Sequence, residues 1–253
     1  MTNLQKMEQY KILGHRGAKA EVLENSQEGF VYAQSLIPQG LNGIEFDVQL
    51  TADNELVLTH DNTLDRICAH QGRIERLTAK YCQEVYQQGN AHALLTLPQV
   101  VPYLQGYTHI ELELKTHQRM NKRKLVDSLA DTYFSTDLQY MRIVLTSFDV
   151  QILEILQQHA LFKNRPRGLI VQEPFNTSEL INIVNRLQAS SLGLKHILIT
   201  PEIIELCHRY GIKVTAWTVN SVSIAQELID IGVDTIITDY PSVFITALSK
   251  EFG

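Results

Sequence analysis

The segment GIEFDVQLTADNELVLTHD, residues 43–61, sets Glu45 and Asp47 one residue apart in an otherwise apolar run and closes on His60 and Asp61. An isolated buried carboxylate is costly and stays protonated unless a cation or a donor compensates it. Further on, IELELK carries Glu111, Glu113 and Lys115 in the same alternation. Successive side chains of an extended chain face opposite sides, so Glu45 and Asp47 project together, and so do Glu111, Glu113 and Lys115. Carboxylates gathered from two neighbouring strands would form an oxygen-rich nest for one hard divalent cation, Mg2+ or Ca2+, whereas softer metals favour His or Cys. Salt bridges to Arg16 and Lys115 are the plainer reading of such acids. The shared face on both strands, with two histidines at neighbouring strand ends, favours the metal.

His15 and His60 are the candidate acid and base, because imidazole titrates nearest neutral pH. A lone histidine at a strand end is more often a structural hydrogen-bonder; two beside a carboxylate nest make a pair with a purpose. The other seven of the nine histidines read as structural. Arg16 and Lys115 add positive charge able to hold a phosphate. A metal, two cations, an acid and a base suit phosphoryl transfer or phosphodiester cleavage. Glycoside hydrolysis fits less well, since it needs a carboxylate pair and no metal.

The elements that must position these groups alternate along the chain. KILGHRG reads as a strand and NSQEGFVYAQSLIPQG as a helix ended by Gly40. NGIEFDVQL and ELVLTHD are strand-like, joined by the turn-forming TADN. A helix from about Leu97 to Leu104 follows. Then come THIELELK, RKLVDSLADTYF, RIVLTSF, VQILEILQQHA, RGLIVQE, SELINIVNRLQ and LKHILIT in strand and helix alternation. PEIIELCHRYG opens on proline and closes on Gly211, as helices do. KVTAWTV, SIAQELIDIG, VDTIITD and a terminal helix from Pro241 complete the series, with Ile224, Leu228 and Ile231 at one-face helical spacing. Eight strand–helix units in about 250 residues predict a (β/α)8 TIM barrel, an α/β fold; a doubly wound open sheet is the competitor. In a closed barrel the carboxyl ends of the strands converge on one face. His15-Arg16, Glu45, Asp47, His60-Asp61, Glu113, Ser147, Glu173, Trp217, Asn220 and Asp239 all sit at such ends. Residues 62–96 are the least regular and predict a small structured excursion after the second unit, shaping the entrance, with its Tyr and Leu residues packing.

No repeat or linker interrupts the 253 residues, which read as one domain, 1–253. The 44% hydrophobic and 20% charged composition is that of a soluble globular protein. A net charge of −6 without a basic block argues against nucleic acid as a partner. No run approaches the ~18 apolar residues of a membrane helix, and MTNLQKMEQYKILGHRG has no signal-peptide core. Three widely spaced cysteines, Cys68, Cys82 and Cys207, suit free thiols in a reducing cytoplasm and argue against a zinc cluster. Oligomeric state is not legible.

The ordered series of these segments resembles the glycerophosphodiester phosphodiesterase family of TIM-barrel enzymes over nearly the whole chain. GHRGAKAEVLENSQEGF is similar to the family's opening HRG…PENT segment, and NGIEFDVQLTADNELVLTHDNTLDR resembles its G-x-E-x-D-V…H-D-x-x-L-x-R block. LTLPQVV, IELELK, LTSF, GIKVTAWTVN and GVDTIITDYP resemble the later motifs in order. The resemblance implies His15 and His60 as the catalytic pair and Glu45, Asp47 and Glu113 as ligands of one divalent metal. It implies Arg16 and Lys115 on the phosphate and Trp217 packed on the substrate's glycerol, where a lone tryptophan would otherwise read as core or rim. It further implies a glycerophosphodiester substrate, in-line attack by the glycerol 2-hydroxyl, and hydrolysis of the resulting cyclic phosphate to glycerol 3-phosphate. Departures are Leu23 for Pro, Ser26 for Thr and Glu111 for Asn, the last raising the question of which glutamate faces the metal. Alternatives are lysophospholipase D-like cleavage of acylated diesters and a non-catalytic barrel that binds phosphorylated ligands.

Overall fold

The computed structural model describes residues 10–68, 70–89 and 92–252. The signal-peptide reading falls mostly on residues 1–9, and part of the excursion on residues 69, 90 and 91, outside the described residues. The barrel strands are β1 (Lys11–His15), β2 (Gly43–Leu50), β6 (His109–Leu114), β7 (Ile143–Ser147), β8 (Arg167–Val171), β9 (Ser191–Lys195), β10 (Lys213–Trp217) and β11 (Thr235–Thr238). Each pairs in parallel with its neighbour, and β1 pairs with both β2 and β11, so the sheet closes. Closure removes the open-sheet alternative. A two-residue strand β3, Leu56–Val57, pairs antiparallel with the end of β2 and is the hairpin partner expected of ELVLTHD.

Strand parity divides the chain into two packing regions. Ile44, Phe46 and Val48 of β2 point outward and are fully buried under the helices, where Phe46 meets Phe30 edge-on at 5.7 Å between ring centroids. Burying each such side chain stabilises the fold by roughly 1.5–3 kcal/mol. Glu45, Asp47 and Gln49 point inward. The helices start where short polar side chains satisfy their free N–H groups: Ser26, Asn121, Asp149, Asn176, Thr200 and Ser221 each accept from the first turn, worth about 1 kcal/mol apiece.

Two details depart from the sequence reading. The sixth barrel strand is SLGLK, not LKHILIT, and His196–Leu198 forms a 3-10 turn. Small Ser191 and Gly193 face the barrel interior while Leu192 and Leu194 face the helices, so the true strand lacks the apolar run that marks the others. Ile231 lies at the C-cap of helix Val222–Asp230 and is 37% exposed, while Ala225 and Leu228 carry the buried face.

The excursion is structured, as expected. It contains β4 (Thr63–Leu64), β5 (His70–Arg73) and the helices Asp65–Cys68 and Ala79–Gly89. Val57, Leu64, Ile74, Cys82, Tyr86 and Leu94 form a second small core of their own, although Tyr81 is exposed.

Candidate active site

The loop after β1 is built to bring its backbone against β2. Arg16 and Asn25 adopt positive φ, 50° and 51°, a conformation that costs most L-residues about 1–3 kcal/mol. It persists because the Arg16 N–H donates to Glu45 Oε2 at 3.1 Å and the Asn25 N–H donates to the Arg16 carbonyl at 3.0 Å. A Cβ on Gly14 would lie 1.9 Å from the Gly17 carbonyl oxygen, so this turn requires glycine.

Register then assembles the acids. His15 is level with Glu45, Glu45 with Glu111, and Asp47 with Glu113. One oxygen each of Glu45, Asp47 and Glu113 lie within 4.8 Å of one another. Glu111 lies two residues before Glu113 on the same face of β6. It accepts from Thr215 Oγ1 at 3.0 Å and lies 3.4 Å from His109 Nε2, so Glu113 is the glutamate that joins the cluster.

The electrostatics of this nest are those of a site short of positive charge. Burial and the neighbouring Asp47 and Glu113 push the Glu45 carboxyl well above the usual carboxylate range. Burial and Asp47 push Glu113 up to about 7 against the pull of Lys115. Burial works against the Asp47 charge too, but Lys115 and Arg16 hold its pKa below the ordinary value. Lys115 Nζ sits 2.7 Å from Glu113 and 3.7 Å from Asp47 Oδ1, and Arg16 Nε sits 3.3 Å from Asp47 Oδ2. Two cations therefore face three carboxylates, and Glu45 Oε1 and Asp47 Oδ1 remain buried without a hydrogen-bond partner. Buried oxygens of that kind cost free energy, and an oxygen-seeking cation at their meeting point would satisfy them. The donor set fits a divalent ion.

Each histidine is held from behind. His15 Nδ1 lies 2.6 Å from Asp239 Oδ1, and His60 Nδ1 lies 2.9 Å from Asp61 Oδ1. A carboxylate only accepts, so each Nδ1 carries its proton and each Nε2 is left for chemistry. Burial lowers the pKa of both rings, opposed chiefly by Asp239 for His15 and by Asp47 for His60. Both line one pocket of about 170 Å³ together with Arg16, Glu45, Glu113 and Trp217. Asp47 and Lys115 are not in that lining, but each contacts it through an ion pair, Asp47 with Arg16 and Lys115 with Glu113. Trp217 packs edge-on against Phe148 at 5.4 Å, its indole Nε1 buried without a partner.

Not every strand-end residue serves the site. Glu173 is exposed, and Ser147 Oγ donates to the Leu114 carbonyl and accepts from the Asp149 N–H. Others turn out to matter more than the sequence reading gave them. Glu24 bridges Arg16 and Arg66, Arg66 continues to Asp61, and Asn25 donates to Asp47. Asp61 and Asp239 could be found as strand-end acids, but their role behind the imidazoles needs coordinates. Asp239→Asn is expected to lower kcat about 100-fold, within the range for losing an acid–base group, with KM little changed. A comparable rise in KM in steady-state kinetics, or loss of fold in a thermal melt, would contradict a positioning role.

Two backed imidazoles flanking an oxygen-ligand nest at the mouth of a barrel are the equipment of a phosphoester-cleaving enzyme. Comparison with known proteins narrows that class. The model of the "Glycerophosphoryl diester phosphodiesterase family" matches residues 15–243, and the chain belongs to this family of phosphoric diester hydrolases. It is 29% identical to the glycerophosphodiester phosphodiesterase of Caldanaerobacter subterraneus subsp. tengcongensis, over 94% of this chain and 98% of that one. The crystal structure of a Thermotoga maritima glycerophosphodiester phosphodiesterase superposes with a TM-score of 0.77 at 25% identity, covering 94% and 98% of the two chains. An Oleispira antarctica phosphodiesterase solved with the product sn-glycerol-3-phosphate shares the fold, with a TM-score of 0.84 at 22% identity over 98% and 100%.

Proposed function

We propose that this chain, residues 1–253 acting as one catalytic domain, hydrolyses glycerophosphodiesters to glycerol 3-phosphate and an alcohol, with His15 and His60 as its acid–base pair. The observation that carries the reading is the orphaned pair of buried oxygens on Glu45 and Asp47 beside two carboxylate-backed imidazoles. The product bound to the Oleispira antarctica relative supports the choice of substrate.

Glu45, Asp47 and Glu113 would hold one divalent cation, Mg2+ or Ca2+, whose chemistry when bound is to draw negative charge off the phosphoryl oxygens. Arg16 and Lys115 add fixed positive charge on the same side. Trp217 packs on the glycerol, its free indole N–H directed to a hydroxyl. One histidine Nε2 removes the proton of the attacking glycerol 2-hydroxyl. The other donates a proton to the departing alcohol oxygen, leaving a cyclic phosphate on glycerol. Water then opens the ring while the two imidazoles exchange roles, so each turnover returns both protons. The incoming phosphate anion favours the protonated form of the donating ring and offsets its burial.

Among the described residues no helix is long and apolar enough to cross a membrane. The three cysteines are buried and free, which supports a cytoplasmic setting. The test of the activity is glycerol 3-phosphate release from diesters of choline, ethanolamine, serine and glycerol, after chelation and after return of Mg2+ or Ca2+. Release that needs an added ion is the expected result. Release that persists undiminished in chelator, or no release from any diester, would overturn the proposal.

A further inference from the structure

A second cleft opens on the barrel face that carries the active site. It is lined by Arg73, His117, Gln118 and Arg119 and has a volume of about 380 Å³, larger than the active-site pocket. Its walls belong to the two arms that deliver the chemistry. Arg73 pairs in register with Thr63, three residues beyond His60. His117 lies two residues beyond Lys115, at most about 7 Å of extended chain. The cleft is thus bounded by the His60 arm on one side and the Lys115 arm on the other.

The chemistry of the lining is that of an anion receptor. Two guanidiniums and an imidazole converge there with a side-chain amide. Glu75 answers part of this charge, since it pairs with Arg73 and lies 3.7 Å from His117 Nε2. Arg119 has no carboxylate partner among the described residues and keeps its fork free for a carboxylate or a phosphate. The His117 side chain is 8% exposed, yet its Nε2 has no hydrogen-bond partner. It faces Glu75 Oε2 at 3.7 Å, an ion pair too long for a hydrogen bond, so a ligand oxygen entering the cleft would complete its bonding. This histidine is among those the sequence reads as structural.

We infer that Arg73, His117 and Arg119 form a subsite for a second anionic group, a phosphate or a carboxylate, carried on the alcohol side of the diester. The inference rests on the phosphodiesterase reading and deepens it. With the glycerol on Trp217, the departing alcohol extends over the His60 arm into this cleft. Substrates whose alcohol carries an acid are then preferred to those whose alcohol does not.

The experiment compares glycerophosphoserine with glycerophosphoethanolamine, which differ by one carboxylate, using the full chain and its Arg119→Gln variant. Arg119 is exposed, so the variant leaves the core untouched. Wild-type kcat/KM is expected to favour the serine diester by about tenfold, the worth of one charge-assisted contact. The Arg119→Gln variant is expected to bring the ratio near unity while glycerophosphoethanolamine turnover stays unchanged. His117→Gln should shift the ratio in the same direction. Turnover of the ethanolamine diester reports on the phosphodiesterase reading by itself, and the ratio reports on the subsite. An equal ratio in wild type and variant overturns the inference, as does loss of both activities in Arg119→Gln. Titration with inorganic phosphate separates a free anion from a substrate-borne one. Phosphate binding that Arg119→Gln abolishes in a wild type with no serine preference would also overturn it, because the cleft would then serve a free anion.

Discussion

Glu45→Gln is expected to lower turnover by about 100- to 1,000-fold, and to erase the thermal stabilisation that a divalent cation gives the wild-type protein. Glutamine keeps the shape of the side chain and its contact with the Arg16 N–H, but it removes one of the three negative ligands grouped in the nest. Lewis-acid stabilisation of a phosphoryl group is worth several kcal/mol, and each 1.36 kcal/mol is roughly tenfold in rate. A ligand at about 100 times its Kd stabilises the folded state by about 2.7 kcal/mol. For a chain of this length that raises Tm by roughly 5–10 °C. Without the cation, the substitution relieves repulsion between Glu45, Asp47 and Glu113, so the variant should melt no lower than metal-free wild type. Melts with and without Mg2+ or Ca2+ check both halves. A variant that still gains several degrees on adding the ion would contradict the assigned ligands.

His15→Ala and His60→Ala should each lower kcat by about 100- to 10,000-fold, the span typical of a positioned acid or base. The two variants separate when the leaving group changes. A nitrophenol departs without being protonated, so a nitrophenyl diester should recover most of the rate in the variant that lacks the acid and none in the one that lacks the base. Under the proposed placement of the alcohol over the His60 arm, the rescued variant is His60→Ala. Rescue of neither, with both proteins folded, would mean that the imidazoles bind and do not transfer protons.

The barrel was legible because its outward-facing residues are apolar at every second position, as in Ile44, Phe46 and Val48, and because strands and helices alternate along the chain outside residues 62–96. The one misplaced strand, Ser191–Lys195, carries small serine and glycine at its inward positions. Its apolar signal is two leucines, and the stronger run in HILIT drew the boundary past it. Among the site residues, parity within a strand put Glu45 beside Asp47 and Glu113 beside Lys115. The choice between Glu111 and Glu113 rests on register between strands: Glu111 is level with Glu45 but tied to Thr215 across the interior. The bridge from Arg16 through Glu24 and Arg66 to Asp61 joins segments 42 residues apart, and no local pattern announces a contact of that kind. His117 looked like one more loop histidine because its neighbours in space, Arg73 and Glu75, belong to the excursion.

The most direct test is a crystal structure of the protein soaked in Mn2+, an oxygen-preferring stand-in for Mg2+, read by anomalous scattering. One peak is predicted, about 2.0–2.6 Å from an oxygen of each of Glu45, Asp47 and Glu113, with His15 and His60 facing the space beside it. A saturating soak that leaves those three carboxylates clasped solely by Lys115 and Arg16, with the ion bound elsewhere, would contradict the account.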